Sequence, residues 1–127
     1  MKDFSKWHFL KEKIDKKNQN IFVNEREIWW CNLGLNVGYE QDDKNYDFVR
    51  PVLIIKRFNK KVVLMVPLST RIKNNKYYYK FNFNNKVNSV ILLQIRLIDT
   101  KRLDRRIGTL PMIQFKKITK AIKDLIP

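Results

Sequence analysis

From residue 21 onward, short runs of β-branched, aromatic and other apolar residues alternate with polar breaks, and this pattern limits the fold more than any other feature of the sequence. Runs of this length and composition are typical of antiparallel strands. Five or six such strands in succession predict a mainly β (α+β) fold, built as a strongly curved antiparallel sheet or small barrel. The candidate strands are residues 26–33, 51–58, 61–68, 77–83, 89–94 and 105–110, with turns at 59–60 and 84–86.

Helical periodicity is confined to the two ends of the chain. We expect an N-terminal amphipathic helix with its connector over residues 1–20, and a closing helix that begins after Pro111. A length of 127 residues fits one domain, which we place at residues 21–127. The apolar positions are Phe4, Trp7, Leu10 and Ile14 in the first helix, and Phe115, Ile118, Ile122 and Leu125 in the second.

The charge balance indicates a polyanionic partner. Lys and Arg number 27 against 12 Asp and Glu, which gives a net charge of +15 and an isoelectric point near 10.1. Solubility alone rarely requires such an excess, and solvated surfaces usually mix both signs. No carboxylate occurs between Asp47 and Asp99, so we expect a phosphate-binding face within this stretch. Its cations are Arg50, Lys56, Arg57, Lys60, Lys61, Arg71, Lys73, Lys76, Lys80, Lys86 and Arg96.

Several kinds of chemistry lack the residues that they need. Cys31 is the only cysteine and His8 the only histidine, which argues against a zinc site and against a histidine pair within one chain. Cys31 stands among apolar residues and is expected to be a core residue. The acidic loop around Glu40 lacks the spacing of a calcium loop. We therefore expect no metal and no cofactor. Because no stretch resembles a signal peptide or a membrane span, we also expect a cytoplasmic protein without a membrane partner.

The remaining polar residues suit phosphoryl transfer in which the substrate supplies the nucleophile. In RNA the 2′-hydroxyl lies beside the scissile phosphate, so positioning and charge stabilisation do much of the catalytic work. An Arg clamps phosphoryl oxygens with its planar guanidinium, and a Ser or Thr hydroxyl hydrogen-bonds the developing charge. These residues leave two functions open, a ribonuclease and a non-catalytic nucleic-acid-binding module.

Several segments of the chain, in the right order over one domain, are similar to the PemK/MazF family of toxins. That family opens with a strand, a Gly-x-Glu-Gln loop and an Arg-Pro strand, and the same order occurs here. Pro-Leu-Ser and Gln-Ile-Arg-x-Ile-Asp segments follow, so that the resemblance covers about residues 25 to 126. The similar segments are residues 27–34, 37–41, 50–55, 66–70, 89–99, 101–103 and 107–110.

The resemblance implies an SH3-like curved antiparallel barrel of the PemK/MazF/CcdB type, to which the N-terminal and C-terminal helices are added, and a homodimer. It also implies the toxin component of a type II toxin–antitoxin system, a sequence-specific endoribonuclease that cleaves single-stranded RNA (mRNA) without a metal. Attack by the 2′-hydroxyl would leave a 2′,3′-cyclic phosphate and a 5′-hydroxyl. The implied protein partner is a cognate antitoxin whose acidic or disordered tail occupies the basic groove.

Three catalytic candidates follow from the resemblance. Arg50 matches the family's catalytic Arg, Ser69 stands at its catalytic Thr or Ser, and Glu40 matches a loop carboxylate that contributes to activity in some members. Some members also carry a carboxylate before the Gln, where this chain has Leu93, and this leaves more of the catalytic work to Arg50 and Ser69. The RNA-binding candidates are Thr70, Arg71, Lys73, Gln41, Gln94 and Arg96.

Two alternatives to an endoribonuclease remain. A CcdB-like gyrase-directed toxin shares the fold but acts on a protein, and residues 123–127 lack the terminal Trp segment that such a toxin uses. A non-catalytic nucleic-acid-binding module would use the same fold and the same charge. Strong salt dependence of RNA binding suits the enzyme and the module equally, so only cleavage of a phosphate ester separates them.

Overall fold

The computed structural model describes residues 22–33 and 49–126 of the chain. In these ranges, seven strands precede one α-helix, and short 3-10 helices lie at Leu92–Gln94 and Thr100–Arg102. The predicted N-terminal helix and the candidates Glu40 and Gln41 lie outside the described residues. The elements are β1 (Glu27–Asn32), β2 (Val49–Arg57), β3 (Val62–Ser69), β4 (Tyr78–Phe83), β5 (Lys86–Ile91), β6 (Arg96–Asp99), β7 (Leu103–Thr109) and α1 (Met112–Lys123).

All seven strands belong to one sheet of order β4-β5-β3-β2-β1-β7, in which β6 also pairs with β3. The predicted β2–β3 hairpin is confirmed, and Asn59 Oδ1 closes it by accepting hydrogen bonds from the N–H groups of Lys61 (2.7 Å) and Val62 (2.9 Å). At the predicted β4–β5 turn, Asn84 and Asn85 have φ of 54° and 62°, a region that Asn tolerates. The mainly β architecture with a C-terminal helix is therefore confirmed.

Side chains on the two faces of the sheet form two cores, because successive residues of a strand point to opposite faces. Ile118 of α1 is fully buried against the second core, with Phe115, Ile122 and Leu125 packed around it, which confirms the predicted helix face. The first core consists of Val23, Trp29, Cys31, Val52, Ile54, Val63, Met65, Ile98 and Leu103. The second core consists of Ile28, Leu53, Val66, Leu68, Phe81, Val90, Leu92, Leu110 and Ile118.

The sheet curls around the first core. This core contains side chains from five neighbouring strands, in the order β6, β3, β2, β1 and β7. In a flat sheet the outer strands β6 and β7 would be too far apart to share one core, so the sheet must be curved. β6 and β7 are also consecutive in the chain and are joined by the 3-10 helix Thr100–Arg102. The ladders between the described strands leave the sheet unclosed, so a closed SH3-like barrel stays a prediction.

The region between residues 89 and 99 differs from the sequence prediction. The sequence predicts a strand over residues 89–94, but β5 ends at Ile91 and residues Leu92–Gln94 form a 3-10 helix. A short apolar run fits a buried strand and a buried turn equally well, so its pattern does not reveal where the strand ends. The sequence also gave no signal for β6, whose four residues are too few to show a periodicity.

Phe83 of β4 packs directly onto Gly108 of β7. A Cβ atom on Gly108 would lie 2.7 Å from Phe83 Cζ, closer than two carbon atoms approach without strain. β4 and β7 are the two ends of the strand order, so this contact joins them through packing rather than through a ladder.

Substituting Gly108→Ala should lower the free energy of unfolding by about 1–2 kcal/mol, because the new methyl group overpacks the Phe83 ring. In a Phe83→Leu background the same substitution should cost little, since the shorter side chain leaves room for the methyl group. Denaturant unfolding of the four proteins of this double-mutant cycle measures the coupling. Additive costs would contradict the proposed contact.

Cys31 is fully buried, which confirms it as a core residue. Burial raises the pKa of its thiol to about 12, although the nearby positive charges of Arg102 and Arg96 act in the opposite direction. The folded protein therefore keeps this thiol protonated and unreactive.

The folded pKa of Cys31, about 12, lies above the ordinary value of 9.0, so its contribution to stability is complete below pH 9.0 and is lost as the pH rises through about 12. Over that window, wild type should lose stability relative to Cys31→Ala in guanidinium unfolding. A chromogenic thiol reagent should react with the unfolded chain but not with the native protein near neutral pH. If the stabilities of wild type and Cys31→Ala change in parallel with pH, or if the reagent labels the native protein rapidly, burial does not raise the pKa of this thiol.

Candidate functional site

Two of the catalytic candidates lie just beyond the last pair of the β2–β3 ladder, one on each strand. That last pair is Val52 with Pro67, and Arg50 and Ser69 each lie two residues beyond it. Residues two apart in a strand point to the same face of the sheet. Arg50 and Ser69 therefore share the face of the first core, at the end of the hairpin away from its turn.

Each of these two residues has a ladder partner on a further strand, and together the paired residues form a row across the sheet. Arg50 pairs with Cys31 of β1, Ser69 pairs with Ser89 of β5, and Ser89 pairs with Lys80 of β4. Cys31 and Ser89 are buried, Ser69 is half-buried, and Arg50 and Lys80 are exposed. The row thus presents cations and hydroxyl groups at one rim of the first core.

A turn holds the Ser69 side chain. Its Oγ accepts a hydrogen bond of 3.0 Å from the backbone N–H of Arg71, which begins the segment between β3 and β4. The candidates Thr70, Arg71 and Lys73 are all exposed in this segment, and Lys73 Nζ lies 5.3 Å from the centroid of the Tyr78 ring. Three RNA-binding candidates therefore follow Ser69 directly, with their polar groups accessible.

Three arginines lie around the same rim. Arg50 is opposite Cys31 in the ladder, and Arg96 and Arg102 are near enough to the Cys31 thiol for their charges to act on its pKa. Arg102 Nη1 donates a hydrogen bond of 3.4 Å to the backbone oxygen of Asn32. The Arg50 side chain, in contrast, has no hydrogen bond or ion pair with any residue of the described ranges. An exposed guanidinium that has no protein partner there and stands beside other cations is well placed to bind an anion.

The structure adds Arg102 to the residues that the sequence singled out. In the sequence, Arg102 belongs to the Lys-Arg-Leu segment at residues 101–103. The order of these residues does not show whether Lys101 or Arg102 is directed towards the first core. The 3-10 helix Thr100–Arg102 decides this, and Asp99 caps it by accepting a hydrogen bond of 2.9 Å from Lys101 N–H.

The other candidates are not brought to this rim by a described contact. Gln94 is exposed on the 3-10 helix Leu92–Gln94, and no contact among the described residues joins it to Arg50 or Ser69. Glu40 and Gln41 lie in the part of the chain that the structure does not describe.

Within residues 22–33 and 49–126, no group of three His, Cys, Asp or Glu side chains lies close enough to hold a metal ion. No helix in those two ranges has the length and the hydropathy to cross a membrane. The side chains that line the described rim carry guanidinium, ammonium and hydroxyl groups, which bind anions and stabilise developing negative charge.

The fold is shared with several solved toxins. A Mycobacterium tuberculosis toxin, MazF-mt6, superposes with a TM-score of 0.60 at 24% identity, covering 78% of this chain and 94% of that one. MazF from Deinococcus radiodurans gives a TM-score of 0.66 at 16% identity over 84% of this chain and 98% of its own. An endoribonuclease from a mycobacterial species, solved with its cognate antitoxin, gives 0.63 at 16% identity, again over 84% and 98%.

Sequence comparison gives the family. Among curated protein sequences there is no significant match. The model of the PemK-like, MazF-like toxins of type II toxin–antitoxin systems matches residues 24–126, which include all the described strands and the helix. The chain therefore belongs to the PemK-like, MazF-like family of toxins of type II toxin–antitoxin systems.

Proposed function

We propose that this protein is a cytoplasmic, homodimeric endoribonuclease toxin that cleaves single-stranded RNA, such as mRNA, at specific short sequences without a metal ion. Toxins of this family are endoribonucleases, which supports the reaction class. The observation that carries the proposal is that Arg50 and Ser69 lie on the same face at the ends of the neighbouring strands β2 and β3, on a rim that also carries Arg96 and Arg102.

The proposed reaction uses the nucleophile of the substrate. The 2′-oxygen of RNA bonds to phosphorus while the bond from phosphorus to the 5′-oxygen breaks, leaving a 2′,3′-cyclic phosphate and a 5′-hydroxyl. The 2′-hydroxyl loses a proton and the 5′-oxygen gains one. Arg50 binds the non-bridging oxygens, on which negative charge grows in the transition state, and the Ser69 hydroxyl donates a hydrogen bond to the same phosphate. Glu40 is the third proposed contributor to catalysis.

Three cationic side chains, two amides and one hydroxyl are proposed to hold the RNA strand on either side of the scissile phosphate. The residues are Thr70, Arg71, Lys73, Gln41, Gln94 and Arg96. The surface that binds RNA would also attract an acidic segment of an antitoxin, since both ligands are polyanions. A cognate antitoxin is proposed here because a mycobacterial endoribonuclease and the Deinococcus radiodurans MazF of the same fold have been solved with antitoxins.

In EDTA, wild type should cut a mixed-sequence single-stranded RNA and leave 2′,3′-cyclic phosphate and 5′-hydroxyl ends, which mass spectrometry identifies. Arg50→Ala and Ser69→Ala should each slow cleavage by about 100-fold or more, the usual cost of removing a donor that stabilises transition-state charge. Lys117→Ala is the matched control, because it removes an exposed charge from α1, which packs on the opposite face of the sheet.

Each other outcome has a definite meaning. If wild type binds RNA but cuts nothing, the chain is a nucleic-acid-binding module. If it neither binds nor cuts RNA, the chain is a toxin that acts on a protein. If the two variants cut as fast as Lys117→Ala, the RNA is cleaved at another site.

Lys73→Ala should weaken RNA binding without changing the cleavage products. If Lys73 contacts a phosphate, the slope of log K against log salt should fall in magnitude by about 0.7, the value for one contact to a single strand. Fluorescence anisotropy of a labelled RNA, bound to the Arg50→Ala protein so that it is not cut, measures both slopes. An unchanged slope would mean that Lys73 is directed away from the RNA and only packs on Tyr78.

A further inference from the structure

Ser89 is an unusual polar residue in this core. It is 0% exposed, and its Oγ has no hydrogen-bond partner among the described residues. A buried hydroxyl without a partner costs free energy that an alanine at the same position would avoid. The stability of the free protein therefore does not explain why a serine occupies this position.

The position of Ser89 suggests that reason. It is the ladder partner of Ser69, one strand away and on the same face of the sheet. Opposed Cβ atoms in such a pair lie about 4.5–5.5 Å apart, which allows two serine hydroxyl groups to meet after a rotation about χ1. Ser89 is therefore the nearest buried hydroxyl to the proposed catalytic Ser69.

The hydrogen-bonding capacity of Ser69 shows what a second hydroxyl would do. A serine hydroxyl accepts two hydrogen bonds and donates one. Ser69 Oγ already accepts one from Arg71 N–H at 3.0 Å. A hydrogen bond from Ser89 would fill the second acceptor site of Ser69 Oγ, and its one remaining hydrogen-bonding group would be its own proton, which can be donated to a ligand.

We propose that Ser89 is a positioning residue, whose hydroxyl donates to Ser69 Oγ when RNA is bound and so turns the Ser69 proton towards the scissile phosphate. This inference rests on the proposed endoribonuclease function. The hydrogen bond is absent in the free protein and forms in the complex, as catalytic hydrogen bonds often do. RNA binding thereby gives the orphaned Ser89 hydroxyl its partner.

Thr100 provides a contrast within the same fold. It is also buried, at 8% exposure, but its Oγ1 donates a hydrogen bond of 2.9 Å to the backbone oxygen of Lys60. Lys60 lies in the β2–β3 turn, at the opposite end of the hairpin from Ser69. Thr100 therefore represents a buried hydroxyl that supports the fold, whereas Ser89 has no such bond to lose.

The test compares Ser89→Ala with Thr100→Val by RNA cleavage in EDTA and by thermal unfolding. Ser89→Ala should lower kcat about tenfold, the cost of about one hydrogen bond, with KM little changed. Its melting temperature should equal or exceed that of wild type, because the substitution removes an unpaired polar group from the core. Thr100→Val should show the reverse, a lower melting temperature and an unchanged kcat.

A double-mutant cycle with Ser69 completes the design. In a Ser69→Ala background, Ser89→Ala should have no further effect on kcat, since Ser89 acts only through Ser69. Normal cleavage by Ser89→Ala, when Ser69→Ala is slow, would overturn this inference alone. A lower melting temperature for Ser89→Ala would likewise assign the hydroxyl to the fold. If wild type does not cleave RNA, the proposed function fails and the role of Ser89 fails with it.

Discussion

The register of the β2–β3 ladder is the constraint on which the rest of the site depends. A slip of one residue would turn every side chain of β2 to the other face of the sheet. Val52 and Ile54 would leave the first core, Leu53 would leave the second, and Arg50 would no longer share a face with Ser69. The burial of apolar residues on both faces of β2 therefore also sets the direction of the exposed Arg50 side chain.

The site also lies where β3 changes its second neighbour. Residues Val62 to Met65 pair with β6, whereas Leu68 and Ser69 pair with β5. Pro67 falls between these two ladders, and because proline has no backbone N–H, it leaves no donor unpaired in the gap. Ser69 is held in the sheet by its pairing with Ser89 of β5, immediately before the chain leaves β3. Such an end of a rigid strand positions a side chain more accurately than a loop does.

The charged residues Glu27 and Arg50 differ in their partners within the described fold. The buried Glu27 accepts hydrogen bonds at Oε1 from Trp29 Nε1 (3.0 Å) and Asn24 N–H (2.9 Å), and its Oε2 pairs with Arg106 at 3.3 Å. These partners compensate the cost of burying the carboxylate and tie β1 to β7. Arg50, by contrast, forms no such pair within the described residues, and we propose that its charge serves a phosphate. The Ser89 hydroxyl also has no partner there, and the role proposed for it is through Ser69.

The sequence by itself determined the mainly β class, the β2–β3 hairpin, the buried face of α1 and the core position of Cys31, because these depend on periodicity and turn residues within a few positions of each other. Its motifs also singled out Arg50 and Ser69, but not their geometry. Only the tertiary structure set these two residues on one face at the ends of neighbouring strands, formed β6, turned Arg102 to the first core and placed Ser89 beside Ser69. Each of these depends on which strands pair and in what register, and that is decided by packing between residues far apart in the chain.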